Sequence, residues 1–100
     1  MNEPIDIAVD SGLRPLMPKF LERRTLELAQ MKEALVTGDI ALLERIGHIL
    51  RGSSGGYGFD RLGEIGTRIE AAAKARDAAL LVQLVAEVED HLGRVRVRYV

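Results

Sequence analysis

The chain has neither cysteine nor tryptophan, and only two phenylalanines and two tyrosines among its 100 residues. Without cysteine there is no disulfide framework and no thiolate chemistry. With so few aromatic rings the core must be built from Leu, Ile, Val and Ala, the bulk of the 47% of residues that are hydrophobic. No apolar run approaches the roughly 18 residues of a membrane span. The opening MNEPIDIAVDSG is acidic and lacks the basic start and apolar run of a signal peptide. An excess of charge is missing too: 14 basic residues stand against 15 acidic ones, for a net charge of −1, whereas general binding to nucleic acid needs a basic surface. One cytoplasmic domain with a modest core is expected, with no nucleic-acid or membrane partner.

What is present is helical periodicity, in four segments. The first runs from about Pro18 to Thr37, with Met17, Phe20, Leu21, Leu28, Met31 and Leu35 on one stripe. Pro18 suits a first-turn position and Gly38 a helix stop. Arg24 falls inside that stripe. It is read as a snorkelling arginine with its head in water, the alternative being a structural hydrogen bond to loop carbonyls. The second segment starts at Asp39, a good N-cap, and passes through Ile40, Leu43, Ile46 and Leu50 towards Gly55. The third runs from about Asp60 to Ala75, with Leu62, Ile65, Gly66, Ile69, Ala72 and Ala73 at three-four spacing. The fourth follows the N-cap Asp77, on a stripe of Leu81, Leu84, Val85, Val88, Leu92 and Val95.

The links TGD and ARD are very short, so the helices they join must be antiparallel neighbours. The expected fold is therefore all-α: an antiparallel up-down four-helix bundle over residues 13–96, with Leu13 to Met17 as a short N-terminal capping segment. Residues 1–12 read as a loose, flexible arm. The ending RVRVRYV alternates like a strand. With no second strand to pair with, it reads as a fraying helix end, and 97–100 as a tail.

The stretch GHILRGSSGGYGFD, residues 47–60, stands out. Each glycine inside a helix costs roughly 0.5–1 kcal/mol relative to alanine, so something here requires small residues beside a histidine. At 100° per residue, Ile40, Leu43, Ile46, Gly47 and Leu50 gather on one side of the second helix. His48 falls nearly opposite, facing water in mid-helix. It shares its outer face with Ala41, Glu44, Arg45, Arg51, Gly52 and Gly55. Ala41, Gly52 and Gly55 leave a shallow space beside the ring, and Arg51 sets a positive charge one turn on.

Several chemistries fail on these neighbours. A metal site needs three or four ligands. Glu44 lies one turn before His48, but no further pair completes a set, and His91, on another helix, reads as a solvated residue. Ser53 and Ser54 do not sit on a nucleophile elbow and read as helix-end hydrogen-bonding residues. The GxxxxGK[ST] order of a phosphate loop is absent, and the glycine run follows a helix rather than a strand. No cofactor or metal is expected. A histidine acting as a covalent carrier remains. Neutral imidazole is a competent nucleophile at cell pH, phosphorus is the electrophile that fits an exposed ring, and Arg51 can partly neutralise phosphoryl oxygens.

His48-Ile-Leu-Arg51-Gly52-Ser53-Ser54, followed by Gly58-Phe59, Leu62 and the pair Ile69-Glu70, resembles the histidine-containing phosphotransfer (HPt) domain. The resemblance covers about Leu13 to Leu92. It implies a bundle whose exposed histidine accepts a phosphoryl group from the aspartyl phosphate of a receiver domain, in a response regulator or hybrid histidine kinase, or from a kinase, and passes it on. It also implies a monomeric carrier rather than an enzyme with its own ATP site. The dimerisation helices of sensor kinases carry a similar histidine followed by an acidic residue. Here Ile49 follows, which favours the carrier. Two other readings stay open: a helical adaptor or dimerisation module in which His48 is incidental, and a degenerate relative that binds receivers without transferring phosphate.

Overall fold

The computed structural model describes residues 3–100. Four helices, α1 (Met17–Thr37), α2 (Ile40–Ser53), α3 (Asp60–Lys74) and α4 (Ala78–Arg94), form the expected bundle. α1 packs on α2 and α4, α2 on α3, and α3 on α4, which closes the ring. The helix ends follow the local chemistry. Gly38 stops α1 in the left-handed region at φ 76°. The carboxylates of Asp39 and Asp77 accept from the backbone N–H groups of Leu42 and Leu80, each at 3.1 Å. The capping segment is a 3₁₀ helix over Ser11–Leu16.

The core holds the predicted stripes: Met17, Phe20 and Met31 from α1, Leu43, Ile46 and Leu50 from α2, Leu62, Ile65 and Ile69 from α3, and Leu81, Leu84, Val85 and Val88 from α4. The closest approach is between α2 and α3. A Cβ on Gly66 would stand 2.6 Å from the Leu50 Cβ and 2.8 Å from the Gly47 carbonyl oxygen. A Cβ on Gly47 would stand 2.8 Å from the backbone nitrogen of Glu70. Backbone therefore rests on backbone at this crossing, and the two glycines are what allow it.

The ends of the chain differ from expectation. Ile5–Val9 is a strand, β1, and Val95–Tyr99 is a second, β2. They pair in parallel, with Ile5 opposite Val95 and Val9 opposite Tyr99. Part of the presumed loose arm is thus ordered, while its residues 1 and 2 lie outside the described residues. RVRVRYV is a strand rather than a helix end because its partner is the alternating IDIAV some ninety residues earlier. Ile7 and Val9 are buried in the core, so the ribbon closes one end of the bundle. Three of the four aromatic rings gather there: Phe20 stacks on Tyr57 at 4.3 Å and meets Phe59 at 4.9 Å.

Two charged or titratable side chains are also more buried than expected. Arg24 is 5% exposed and does not snorkel. Its guanidinium donates to the Ser53 hydroxyl at 2.6 Å and to the buried Glu27 carboxylate at 3.1 Å, so the hydrogen-bond alternative is nearer, with side chains in place of loop carbonyls. Ser53 in turn donates to the Ile49 carbonyl, which ties the last turn of α2 to α1. His91 is 4% exposed, not solvated. Its ring meets Phe59 edge-on at 6.1 Å. Burial first, then the positive charges of Arg61 and Arg94, push its pKa below the ordinary imidazole value, with Asp90 opposing.

This packing makes Gly66 and Gly52 respond oppositely to alanine. Gly66→Ala forces backbone apart and is expected to destabilise the protein by about 1–3 kcal/mol. Gly52, also helical but with nothing within 4 Å of its Cβ position, should gain about 0.5–1 kcal/mol on Gly52→Ala. Urea unfolding checks both, and equal effects at the two sites would contradict the packing account. For His91 the folded pKa lies below the unfolded value of about 6.5. As pH falls through that value the unfolded chain takes up a proton that the folded chain refuses, so stability drops on the acid side. The melting temperature of His91→Leu should accordingly fall less between pH 7.5 and 5.5 than that of the parent, and parallel curves would refute the assignment.

Candidate histidine site

The site is built on α2 and completed by α3. His48 lies mid-helix with its side chain 60% exposed, as the helical wheel requires. Gly47, immediately before it, faces the crossing. Because that glycine lets the α3 backbone come close, the side chain of Glu70, one turn after Gly66, reaches the ring. The Glu70 Oε2 lies 3.1 Å from His48 Nδ1. Arg51, one turn after His48, brings its guanidinium to 2.9 Å from the same Nδ1, and its Nε to 3.4 Å from Glu70 Oε1. Lys74 Nζ lies 3.7 Å from Glu70 Oε2.

Glu70 is mostly buried, at 8% exposure. Burial alone would raise its pKa. The hydrogen bond from His48 and the charges of Arg51, Lys74 and His48 outweigh burial and hold the carboxyl below its ordinary value. An ionised carboxylate only accepts hydrogen bonds. His48 Nδ1 can carry a proton and donate to Glu70, or carry a lone pair and accept from Arg51, but not both. With the proton on Nδ1, Glu70 is satisfied, Arg51 stays paired with the same carboxylate, and the lone pair falls on Nε2; with the lone pair on Nδ1, the nearer Arg51 donates to it instead. Among the described residues Nε2 has no hydrogen-bond partner.

The other sequence-picked residues divide into two groups. Ala41, Glu44 and Arg45 line a shallow depression together with His48 and Glu70. Gly52 is exposed on the same face, with open space where a side chain would stand. Gly55 belongs elsewhere: it opens the 3₁₀ turn Gly55–Tyr57 after α2, and its Cβ position faces Asp60 at 3.6 Å, not the ring. In that turn the constrained glycine is Gly58, at φ 81°, where a Cβ would meet the Ala8 carbonyl oxygen at 2.8 Å. Sequence reasoning placed Glu70 in a motif but not at the site. The available signal was its position beside Ile69 and four residues after Gly66, which sets a carboxylate at the edge of the buried stripe facing α2.

No group of His, Cys, Asp and Glu able to hold a metal occurs among the described residues, and no helix there is long and apolar enough to cross a membrane. The chain has no match among curated proteins or solved structures. This exposed imidazole, with one nitrogen in contact with Glu70 and Arg51 and the other without a partner, stands on a four-helix bundle; the model of the Hpt domain, a phosphotransfer module of two-component signalling, matches residues 16–98, and the chain belongs to that family.

Proposed function

We propose that this chain is a phosphorelay carrier that holds a phosphoryl group on Nε2 of His48 between a donor and an acceptor receiver domain, or between a histidine kinase and a receiver. The observation that supports it is the division of labour on the ring, with Nδ1 held by Glu70 and Nε2 free on an exposed side chain. In the step, the Nε2 lone pair attacks phosphorus in line. The N–P bond forms as the bond from phosphorus to the donor's aspartate oxygen breaks, and the aspartate leaves as a carboxylate. No proton has to leave Nε2, because the ring proton already sits on Nδ1. The ring gains positive charge, which strengthens its hydrogen bond to Glu70. Transfer onward is the reverse reaction with a second receiver.

The neighbours have separable roles in this reading. Arg51 can lean towards phosphoryl oxygens once negative charge arrives beside the ring. Ala41, Glu44 and Arg45 form one flank of the surface on which a receiver comes down, and Gly52 keeps the other flank bare. The carrier supplies no ATP site and no turnover of its own.

The direct test is His48→Gln. Labelling from a phosphorylated receiver should vanish, the parent's label should be acid-labile, and helical content and melting temperature should stay nearly unchanged, because an exposed side chain contributes little packing. Label that survives or moves to His91 refutes the assignment. Glu70→Gln keeps the size but removes the charge. Nitrogen NMR of the ring should show more of the Nε2–H tautomer, and transfer should slow roughly tenfold. An unchanged tautomer ratio would remove Glu70 from the site. Gly52→Gln places a long side chain on the docking flank, so transfer from a receiver should fall far more than reaction with the small donor phosphoramidate. Equal losses with both donors would mean that Gly52 acts on the histidine rather than on access.

A further inference from the structure

The ribbon that closes the bundle has two edges; the turn at Gly58 crowds the outer edge of β1, and no such segment lies against the outer edge of β2 among the described residues. The Val100 N–H donates to the Val9 carbonyl and the Ser11 N–H to the Val100 carbonyl, both at 2.9 Å. Along a strand the two backbone groups of one residue point to the same side, and the sides alternate. Arg96, Arg98 and Val100 therefore turn their backbone groups to β1, and Val97 and Tyr99 turn theirs away from it. On β1 the same alternation sends the groups of Asp6 and Ala8 outward, where the Ala8 carbonyl is covered by the close approach of Gly58. Among the described residues, no further strand and no backbone group of a turn or loop pairs with Val97 or Tyr99.

The side chains along this open edge are sorted by face. Val95, Val97 and Tyr99 are half-buried and continue the face of Ile7 and Val9 that meets the core, while Arg96 and Arg98 stand exposed on the other. Arg96 is held by Asp6 of β1 at 2.9 Å. Arg98 lies opposite Ala8 and has no ion-pair partner among the described residues. This charge pattern selects the occupant. A second copy of β2 laid antiparallel along the edge would set arginines against arginines, which is destabilising. β1 already shows what does pair: an extended segment with apolar residues on one face and a carboxylate opposite an arginine on the other.

We propose that the outer edge of β2 is a docking site for an extended segment of a partner protein that alternates apolar and acidic residues. The segment adds as a third strand, its backbone pairing with Val97 and Tyr99, its apolar side chains extending the face of Val97 and Tyr99, and its carboxylates lying beside Arg96 and Arg98. This surface is independent of His48 and of phosphotransfer.

The probe is a capped six-residue peptide alternating valine and glutamate, with a valine–lysine peptide as its counterpart. With the isotope-labelled full chain, the glutamate peptide at millimolar concentration should shift the amide signals of Val97 and Tyr99 and slow their hydrogen exchange about tenfold, and the lysine peptide should do neither. Arg98→Glu, on the exposed face, should invert this preference. Val97→Pro removes the outward N–H without touching the ladder to β1. It should abolish binding while the Val9 and Arg98 amides stay protected, which shows the ribbon intact. The proposal is overturned by the absence of any shift, by shifts centred elsewhere, or by an Arg98→Glu variant that keeps its preference. It is also overturned if polyphosphate slows exchange at Val97 equally, which is anion attraction alone, or if the protein by itself protects these amides as its concentration rises, which makes a second copy the occupant.

Discussion

The contact of backbone on backbone where α2 crosses α3 is the constraint on which the site depends. Only glycine at positions 47 and 66 allows it, since a single added carbon on either would stand within 3 Å of main-chain atoms of the other helix. In a helix each glycine weakens the local structure by up to about 1 kcal/mol. The closeness it permits brings Glu70 to the exposed ring of His48. Helices held apart by larger side chains at this crossing would carry the carboxylate away from the ring. Stability in the isolated helices is thus exchanged for a buried carboxylate placed within hydrogen-bond reach of a solvent-facing imidazole.

That site combines exposure with order, two properties that usually oppose each other. An exposed side chain has few contacts to hold it, and a held one is usually buried. Here the holding group is buried and the held group is not: Glu70 is 8% exposed while the His48 side chain is 60% exposed. Three positive or titratable groups, His48, Arg51 and Lys74, converge on that one carboxylate. The hydrogen bond from His48 and the charges of Arg51 and Lys74 overcome the penalty of burying it and hold its pKa below the ordinary carboxyl value. At the far end of α2, the buried pair of Arg24 and Glu27 acts through Ser53 to anchor the last turn, the turn that bears Arg51 and Gly52.

The parallel ribbon of β1 and β2 solves a different problem. A four-helix bundle of this size, with few aromatics, leaves an end where the chain turns at Ser54–Phe59. Ile7 and Val9 cover that end, and Phe20, Tyr57 and Phe59 fill the space beneath. The strands can be parallel because the whole bundle serves as their connection, and closing so long a loop adds only slowly to the entropic cost of pairing.

The four helices, their caps at Asp39, Asp77 and Gly38, and the outward direction of His48 were legible in the sequence, because each depends on neighbours within a few residues: periodicity, a capping carboxylate, a glycine stop. What only the tertiary structure decided are the contacts between distant segments. RVRVRYV has the alternation of a strand, but a strand exists only with a partner, and nothing local indicates that IDIAV is that partner. By sequence Arg24 and His91 read as solvated because charged and titratable groups normally are, and the placement of Glu27, Ser53 and Phe59 around them makes burial tolerable. Glu70 is the sharpest case. Its side chain is at the edge of a helical stripe by its own sequence, but whether it meets water or His48 depends on how close two helices come. That distance is set by Gly47 and Gly66 together, each silent about the other until the chain is folded.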